Sequence, residues 1–409
     1  MIEYHPLQIE ELGEFAGIVP GPEPKIKLLI HRVPATEEQG TFIPVCEPTL
    51  AGNEEKYVVE CVRTNWISSA GKFIPRFEKM FAEFCGTRHA VACTSGTSAL
   101  QLALYTLGIT EGDEVIVPTF TMIATANTVR HCGATPVFVD TEPRTWNIDP
   151  ARIESAITPR TKAIVPVHTY GHPADMDAIL AIARRHGLLV VEDAAESHGA
   201  TIGGRRTGGM GECGCFSFYA NKIITTGEGG MITTNDADLA AKARNIRDHA
   251  FSAERHFWHR AIGHNFRMTN LQAAIGVAQM ERIDWLVQRR IDNARLYDAR
   301  LRDAPGLTLP PTTPAVKNVY WMYSLLIDSA RFGATRDQVR QHLADHAIET
   351  RTFFIPMHLQ PVYYRPEYRG QFPVAERLCR DGLYLPSSGS LTEDQIDYVC
   401  TQLRAAAKH

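Results

Sequence analysis

The sequence predicts an α/β fold built on a mainly parallel sheet, and two observations lead to that prediction. Between residues 89 and 234, short apolar runs of strand length alternate with longer segments of helical period. This alternation is typical of parallel strands joined by helices that cover both faces of one sheet. No G-x-G-x-x-G motif follows the first of these strands, which argues against a dinucleotide-binding fold.

The chain is predicted to have two domains and an N-terminal extension. A proline-rich run at 305–314 marks a change of domain, after which the pattern is α+β. We predict a large domain over residues 43–285 and a smaller C-terminal domain over residues 286–409. Residues 1–42 are rich in proline and show little periodicity, so we expect an extension that lies over the surface or is partly flexible.

The individual elements follow from local patterns. Asn53 is expected to cap a helix that runs to about Arg63, and an amphipathic helix follows it. That second helix has an apolar face made of Phe73, Phe77, Met80, Phe81 and Phe84. Strands are expected at 89–93, 114–118, 135–139, 163–167, 188–193, 216–220 and 231–234. Later helices are expected near 96–107, 150–156, 175–186 and 269–283, and a further long helix runs to about 301. Capping boxes at Thr335/Gln338 and Thr392/Gln395 each begin another helix.

Composition argues against several classes of protein. A formal net charge of −4 provides no general attraction to nucleic acid. No apolar run approaches the roughly 20 residues that cross a membrane, and no signal peptide is visible at the N-terminus. The nine cysteines are scattered, and Cys213 and Cys215 do not have a zinc spacing. We therefore expect no nucleic-acid, membrane or metal partner, and reduced thiols in the cytoplasm.

The chemistry is predicted from three polar residues near the ends of two strands. Asp193 closes one apolar strand. The next apolar run contains Ser217 and leads to Lys222, at the start of a loop rich in threonine and glycine. These residue types suit pyridoxal phosphate: Lys222 would form a Schiff base, Asp193 would pair with the pyridine nitrogen, and Ser217 would hold the phosphate. Taken singly, the lysine reads as a solvated surface residue and the aspartate as a helix cap.

A second phosphate-binding feature precedes the first helix of the alternating region. Ser95, Gly96 and Thr97 follow a short strand and open that helix. The free amides and the dipole of a helix N-terminus attract phosphate, although the same residues also form ordinary helix caps.

The segment EDAAESHGA, followed by FSFYANKIITTGEGGMITTND, resembles the signature of the DegT/StrS-type sugar-nucleotide aminotransferases, which are fold-type I pyridoxal phosphate enzymes. The resemblance continues through WISSAGKFIPRFEKMFAEFCG, GDEVIVPTFTMIATAN, VPVHTYGHPADMD and GHNFRMTNLQAAIGVAQMERID, and covers about Pro44 to the C-terminus. It implies a mixed, mostly parallel seven-stranded sheet, a smaller α+β domain, and a homodimer with active sites shared at the interface.

The resemblance also implies roles for individual residues. It places Lys222 and Asp193 in catalysis, and Gly96, Thr97, Met122, Glu196, Ser217 and Asn265 on the cofactor. Asn265 would reach the cofactor phosphate of the neighbouring subunit. Met122 departs from the family, which often has an aromatic residue there to cover the cofactor ring. Contacts with the substrate are expected from Trp66, Ser68, Arg267 and His358.

The implied reaction is transamination. The resemblance implies that L-glutamate donates the amino group to a nucleotide-linked 4-keto-6-deoxyhexose. TNWISSAGKFI, FWHRAIGHNFRMTN and IETR followed by PMH resemble the branch that acts on GDP-4-keto-6-deoxy-D-mannose to make an O-antigen precursor. The alternatives are a dTDP- or UDP-linked keto sugar aminated at C4 or C3, and a catalytically silent regulatory or scaffold protein. Dehydratases of the family have histidine in place of Lys222, so the lysine favours transamination.

Overall fold

The structure, a computed structural model, describes residue 18 and residues 42–255 and 257–408. The predicted extension over residues 1–42 therefore lies almost entirely outside the described residues. The described chain forms a seven-stranded sheet covered by helices, followed by a smaller sheet with helices of its own.

The large sheet has strands in the order β1-β7-β6-β5-β4-β2-β3. Its strands are β1 (His89–Cys93), β2 (Glu114–Pro118), β3 (Thr135–Val139), β4 (Thr161–Ile164), β5 (Leu189–Asp193), β6 (Cys213–Ser217) and β7 (Gly230–Thr234). Strand β7 is antiparallel to both of its neighbours, whereas the other pairings are parallel. The predicted mixed, mostly parallel sheet of seven strands is confirmed.

Helices cover this sheet on both faces, which explains why most residues of its strands are buried. Every residue of β2 and of β7 is buried. The α-helices are α1 (Glu54–Arg63), α2 (Phe73–Cys85), α3 (Gly96–Thr106), α4 (Ala124–His131), α5 (Pro150–Ile153), α6 (Met176–His186), α7 (Ala237–Arg247), α8 (Asn270–Met280), α9 (Ile283–Leu301), α10 (Ser329–Phe332), α11 (Arg336–Asp345), α12 (Pro373–Asp381) and α13 (Glu393–Ala405).

The C-terminal part has a four-stranded antiparallel sheet with a separate apolar core. Its strands, in spatial order, are Leu307–Thr308, Tyr323–Ile327, Gly382–Leu385 and Arg351–Thr352. The predicted boundary between 285 and 286 falls in the first turn of α9. Ile43, placed in the large domain, instead packs in the C-terminal core and pairs with Ile348. The division into two domains stays a proposal.

Several strands begin or end at residues other than the predicted ones. The strand expected at 163–167 is Thr161–Ile164, and the strand expected at 216–220 ends at Ser217 because the chain turns there, with Lys222 N donating to Tyr219 O. Asn53 occupies the N-cap of α1, but its side chain donates to Glu281 instead of capping. Both predicted capping boxes, at α11 and α13, are present.

All nine cysteines lie among the described residues and are free. Within the described part of the chain, no helix is long and apolar enough to cross a membrane. The same residues contain no group of three or more His, Cys, Asp or Glu side chains that could bind a metal ion.

Candidate active site

Strand β5 ends on a buried carboxylate with few partners. Asp193 is 5% exposed, and it accepts a 2.7 Å hydrogen bond from Oγ1 of Thr125 and a 3.2 Å bond from the amide of Ala195. Burial raises the pKa of Asp193, and the Thr125 and Ala195 bonds and the charge of Lys222 act against that rise. A buried carboxylate of this kind is stabilised by a nearby cation.

The amine of Lys222 lies between a carboxylate and an aromatic ring. Its side chain is 10% exposed, and Nζ lies 3.8 Å from Oε1 of Glu196. On another side, Nζ lies 3.8 Å from the ring centroid of Trp321. Burial lowers the pKa of Lys222, while Glu196 and Asp193 raise it. A lysine with a lowered pKa is available as a neutral amine for covalent and proton-transfer chemistry.

Glu196 is held by the backbone of a neighbouring turn. Its Oε2 accepts a 2.8 Å hydrogen bond from the amide of Tyr170, and the residue is 4% exposed. Burial raises the pKa of Glu196 to about 7, against the effect of Lys222. Burial thus favours the neutral forms of both Glu196 and Lys222, whereas the attraction between them favours the charged pair.

The first turn of α3 lies directly against the end of β6. A Cβ atom placed on Gly96 would lie 2.7 Å from the Cβ of Ser217, so only glycine fits between the two. The Oγ of Ser95 caps α3 by accepting a 3.0 Å bond from the amide of Ser98. Thr97, half-buried, stands in the first turn, where amides have no acceptor within the helix. These hydroxyl and amide donors fit a phosphate group.

The loop that contains Trp66 and Ser68, which is predicted to contact the substrate, is exposed and is held by hydrogen bonds from Asn270. Trp66 is 57% exposed, and Ser68 is also exposed. Asn270, the first residue of α8, donates to the carbonyls of Trp66 at 2.7 Å and Ser68 at 2.6 Å. Met122, in the loop before α4, is 50% exposed, and its Sδ accepts a 3.1 Å bond from the amide of Ala124.

The segment with Asn265 and Arg267 runs beside the end of β1. The carbonyl of Phe266 accepts a 3.0 Å bond from the amide of Thr94, the residue that follows β1. The guanidinium of Arg267 forms an ion pair with Asp248. The side chain of Asn265 is exposed in the single chain. The structure therefore brings this segment close to the start of α3.

His358 lies in a short 3₁₀ turn, Met357–Leu359, and is 1% exposed. One ring nitrogen is 2.7 Å from Oγ1 of Thr119, and the other is 3.3 Å from Oε1 of Glu376. Burial lowers the pKa of His358 to about 3, so its ring is neutral. Both nitrogens have protein partners, and the structure does not present this ring to solvent.

Comparison with known proteins decides the family. The sequence profile of the DegT/DnrJ/EryC1/StrS aminotransferase family matches residues 48–404. The chain belongs to this family. The predicted pyridoxal phosphate cofactor and the predicted aminotransferase activity are thereby confirmed.

Similar proteins support this membership in the DegT/DnrJ/EryC1/StrS family. The GDP-perosamine synthase of Caulobacter vibrioides is 52% identical over 88% of this chain and 97% of its own length. The GDP-perosamine synthase of Escherichia coli O157:H7 is 43% identical over 88% of this chain and 98% of its own length. Among solved structures, DesV of S. venezuelae superimposes with a TM-score of 0.82 at 38% identity, covering 87% of this chain and 95% of that one.

Three residues around the site of this aminotransferase were not predicted from the sequence. Trp321 comes from the C-terminal part of the chain, and no local pattern connected it to Lys222. Thr125 lies in the first turn of α4, where one threonine among several nearby gives no sequence signal. Tyr170 holds Glu196 through a backbone amide, which the sequence cannot show.

Proposed function

We propose that this protein transfers the amino group of L-glutamate to GDP-4-keto-6-deoxy-D-mannose and so makes GDP-perosamine, a precursor of O-antigen polysaccharide. The main support is the 52% identity to the Caulobacter GDP-perosamine synthase over 97% of that protein. The segment FWHRAIGHNFRMTN, which resembles the same branch, lies beside the start of α3, where its Phe266 carbonyl accepts a bond from the amide of Thr94. Lys222 in place of histidine favours transamination over dehydration.

We propose the following residues as the cofactor site. Lys222 would bind the aldehyde carbon, Asp193 would pair with the ring nitrogen, and Ser217, Gly96 and Thr97 would hold the phosphate. A Cβ on Gly96 would collide with Ser217, so the N-terminus of α3 and the end of β6 lie directly against each other. When bound, pyridoxal phosphate supplies a pyridinium ring that accepts the electrons released when a C–H bond of the amino donor breaks.

We propose that side chains of the protein itself transfer protons and stabilise the charges that form. Lys222 takes the proton from the α-carbon of glutamate and later returns a proton to the sugar carbon. Glu196, 3.8 Å from Nζ, balances the charge of the amine as it gains and loses that proton. Asp193, buried at the end of β5, keeps positive charge on the ring nitrogen favourable.

The proposed substrate-binding residues differ in whether they already have hydrogen-bond or ion-pair partners within the chain. Trp66 and Ser68 are exposed on a loop anchored by Asn270 and are free to meet a ligand. Arg267 and His358 already have partners within the chain, so a substrate would have to compete for them or bind beside them. Met122, half exposed, is proposed to lie against the cofactor ring through its thioether.

We also propose a homodimer with shared active sites. Asn265 is exposed in the single chain, as its proposed reach to a partner's cofactor requires. The segment before it exposes Phe257, Trp258 and Ile262, which are 76%, 54% and 79% exposed, and a second copy of the chain would cover them. The free cysteines support the proposed cytoplasmic location, where thiols stay reduced.

The experiment that tests the proposed substrate is a panel of keto sugars with L-glutamate. GDP-, dTDP- and UDP-linked 4-keto-6-deoxyhexoses and 3-keto sugars are compared by kcat/KM, with 2-oxoglutarate and the amino sugar measured separately. We expect GDP-4-keto-6-deoxy-D-mannose to exceed the others by at least about tenfold, roughly 1.4 kcal/mol of barrier. A dTDP- or UDP-sugar that performs better would contradict the proposal, and no 2-oxoglutarate from any sugar would favour a silent scaffold.

A further inference from the structure

Trp321, a residue without a role so far, covers the amine of Lys222. The indole is 3% exposed, and its ring centroid is 3.8 Å from Nζ. Its Nε1 donates a 2.8 Å hydrogen bond to the carbonyl of Asn221, the residue before Lys222. The indole is therefore fixed at two points to the segment that it covers, through its face and through its N–H.

Tyr170 holds both neighbours of the amine. Its ring stacks on Trp321 with centroids 6.1 Å apart and planes at 29°, and its carbonyl accepts a 3.1 Å bond from the amide of Trp321. Its own amide donates to Glu196. Tyr170 has a φ of 53°, a left-handed conformation that is costly for a residue with a side chain. The surrounding contacts maintain this turn, which fixes the indole and the carboxylate relative to each other.

The turn and the indole fit together closely. Gly171 has a φ of +99°, and a Cβ placed on it would lie 2.9 Å from the backbone nitrogens of Trp321 and Tyr320. The amide of Val319 donates a 3.2 Å bond to the carbonyl of Gly171. This backbone contact brings a segment from the C-terminal part of the chain up to the amine.

The geometry points to Trp321 as a positioning residue that orients the free amine of Lys222 and stabilises its ammonium form through the indole face. An amine that carries a proton between two carbons alternates between neutral and charged forms. Burying an ammonium group costs free energy because the group loses its hydration. An aromatic face within about 6 Å offsets part of that cost. The other titratable groups that act on this amine are Glu196, Asp193, Cys46 and His198.

Two substitutions separate the aromatic face from the rest of the side chain. Trp321→Phe and Trp321→Leu both remove the N–H donor to Asn221, but only phenylalanine keeps a ring over Lys222. The measurement uses cofactor-free protein and an amine-selective acylating reagent over a series of pH values. Mass spectrometry of the Lys222 peptide gives the labelling rate, which is normalised to its plateau at high pH so that differences in access cancel.

Loss of the ring should leave more of the amine neutral at a given pH. We expect the normalised rate near pH 7 to be at least about threefold higher in Trp321→Leu than in Trp321→Phe, with the unchanged protein slowest. Lys79, on the surface of α2, is the internal standard and should label equally in all three. Identical normalised profiles for the Phe and Leu variants would overturn the inference. If Trp321→Leu does not fold, Trp321→Met replaces it under the same criterion.

A second readout comes from the loaded enzyme. With saturating glutamate, we expect Trp321→Leu to lower kcat by about tenfold and to change the KM for the sugar by less than about threefold, because the amine acts on bound substrate. A change in KM alone would mean that Trp321 binds substrate and would overturn the positioning role. The inference rests on the proposed role of Lys222; that role is judged separately by whether Lys222→Ala loses the covalent cofactor.

Discussion

Gly96 and Ser217 lie so close that a single added methyl group would place two Cβ atoms 2.7 Å apart. One residue opens α3 and the other closes β6, so their contact joins the helix N-terminus to the strand end. We propose that the same contact forms the floor of the phosphate site. Backbone and Cβ atoms line it, and such atoms cannot move aside as the end of a long side chain can.

Gly96→Ala should therefore weaken cofactor binding. The added Cβ meets Ser217, and relieving the contact would separate α3 from β6, at a cost of about 1–3 kcal/mol. We expect the Kd for pyridoxal phosphate to rise by about tenfold or more, measured by titration of the cofactor-free protein. Gly108→Ala is the matched control: a Cβ there meets nothing within 4 Å, although a φ of +89° makes it strained. A Kd that rises equally in both variants would assign the effect to general destabilisation.

Asp193→Asn should preserve the fold and lower the rate of transamination severely. A neutral amide can still accept the bond from Thr125 but cannot hold a proton on the pyridine nitrogen. We expect kcat to fall by far more than tenfold, with far-UV circular dichroism unchanged. Asp175→Asn, at the N-cap of α6, is the control and should leave kcat within about twofold. A fall of less than about tenfold, roughly 1.4 kcal/mol, would make Asp193 only a structural cap.

Glu196 should make the stability of the cofactor-free protein depend on pH. Burial raises its pKa from 4.5 to about 7, so the native state binds more protons than the unfolded chain in that window. Stability from this group is complete below pH about 4.5 and is lost as pH rises through 7. Glutamine at position 196 stays neutral at every pH. The free energy of unfolding, measured with urea, should therefore fall by about 1–3 kcal/mol less between pH 5 and pH 8 in Glu196→Gln than in the unchanged protein.

The control for this measurement is Glu83→Gln, on the exposed surface of α2. It should leave the pH dependence as it is in the unchanged protein. If Glu196→Gln loses as much stability between pH 5 and pH 8 as the unchanged protein does, the carboxyl is not the source of the pH dependence.

Shared active sites can be tested by mixing two inactive chains, Lys222→Ala and Asn265→Ala. If Asn265 serves the partner's cofactor, each mixed dimer has one site with both defects and one with neither, so activity returns. If Asn265 serves its own chain, every site has one defect and nothing returns. We expect purified mixed dimer to regain up to about half of the activity of the unchanged dimer.

This experiment requires that both parent dimers be measurably impaired and that subunit exchange be confirmed by differential tags. With these controls met, a mixed dimer without recovered activity would reject the shared site. The assignments of Lys222 and Asp193 would still stand.

The sheet could be predicted from sequence because its signals are local. Strands β1, β2 and β3 occur at the predicted residues, since each is a short apolar run bounded by turn residues. The end of β6 was misplaced because FSFYA is apolar enough to continue a strand. In the structure, the hydrogen bond of Lys222 N to Tyr219 O shows that the chain has already turned.

The site could be predicted only in part. Asp193, Ser217, Lys222 and Gly96 lie within or close to predicted elements, and parallel topology brings the ends of such elements together. Trp321 reaches the amine, and Tyr170 reaches Trp321 and Glu196, through contacts between distant segments that local sequence patterns do not reveal. Tyr170 also has a left-handed backbone. His358 was expected to contact the substrate, but its bonds to Thr119 and Glu376 depend on packing that only the fold determines.

The most direct test of this account asks which residue binds the cofactor. Protein loaded with pyridoxal phosphate is reduced with borohydride, digested, and mapped by mass spectrometry for the phosphopyridoxyl group. We expect the group on Lys222, and we expect Lys222→Ala to bind cofactor through the phosphate site, without a covalent bond and without turnover. A phosphopyridoxyl group on a different lysine, or wild-type transamination by Lys222→Ala, would contradict the account.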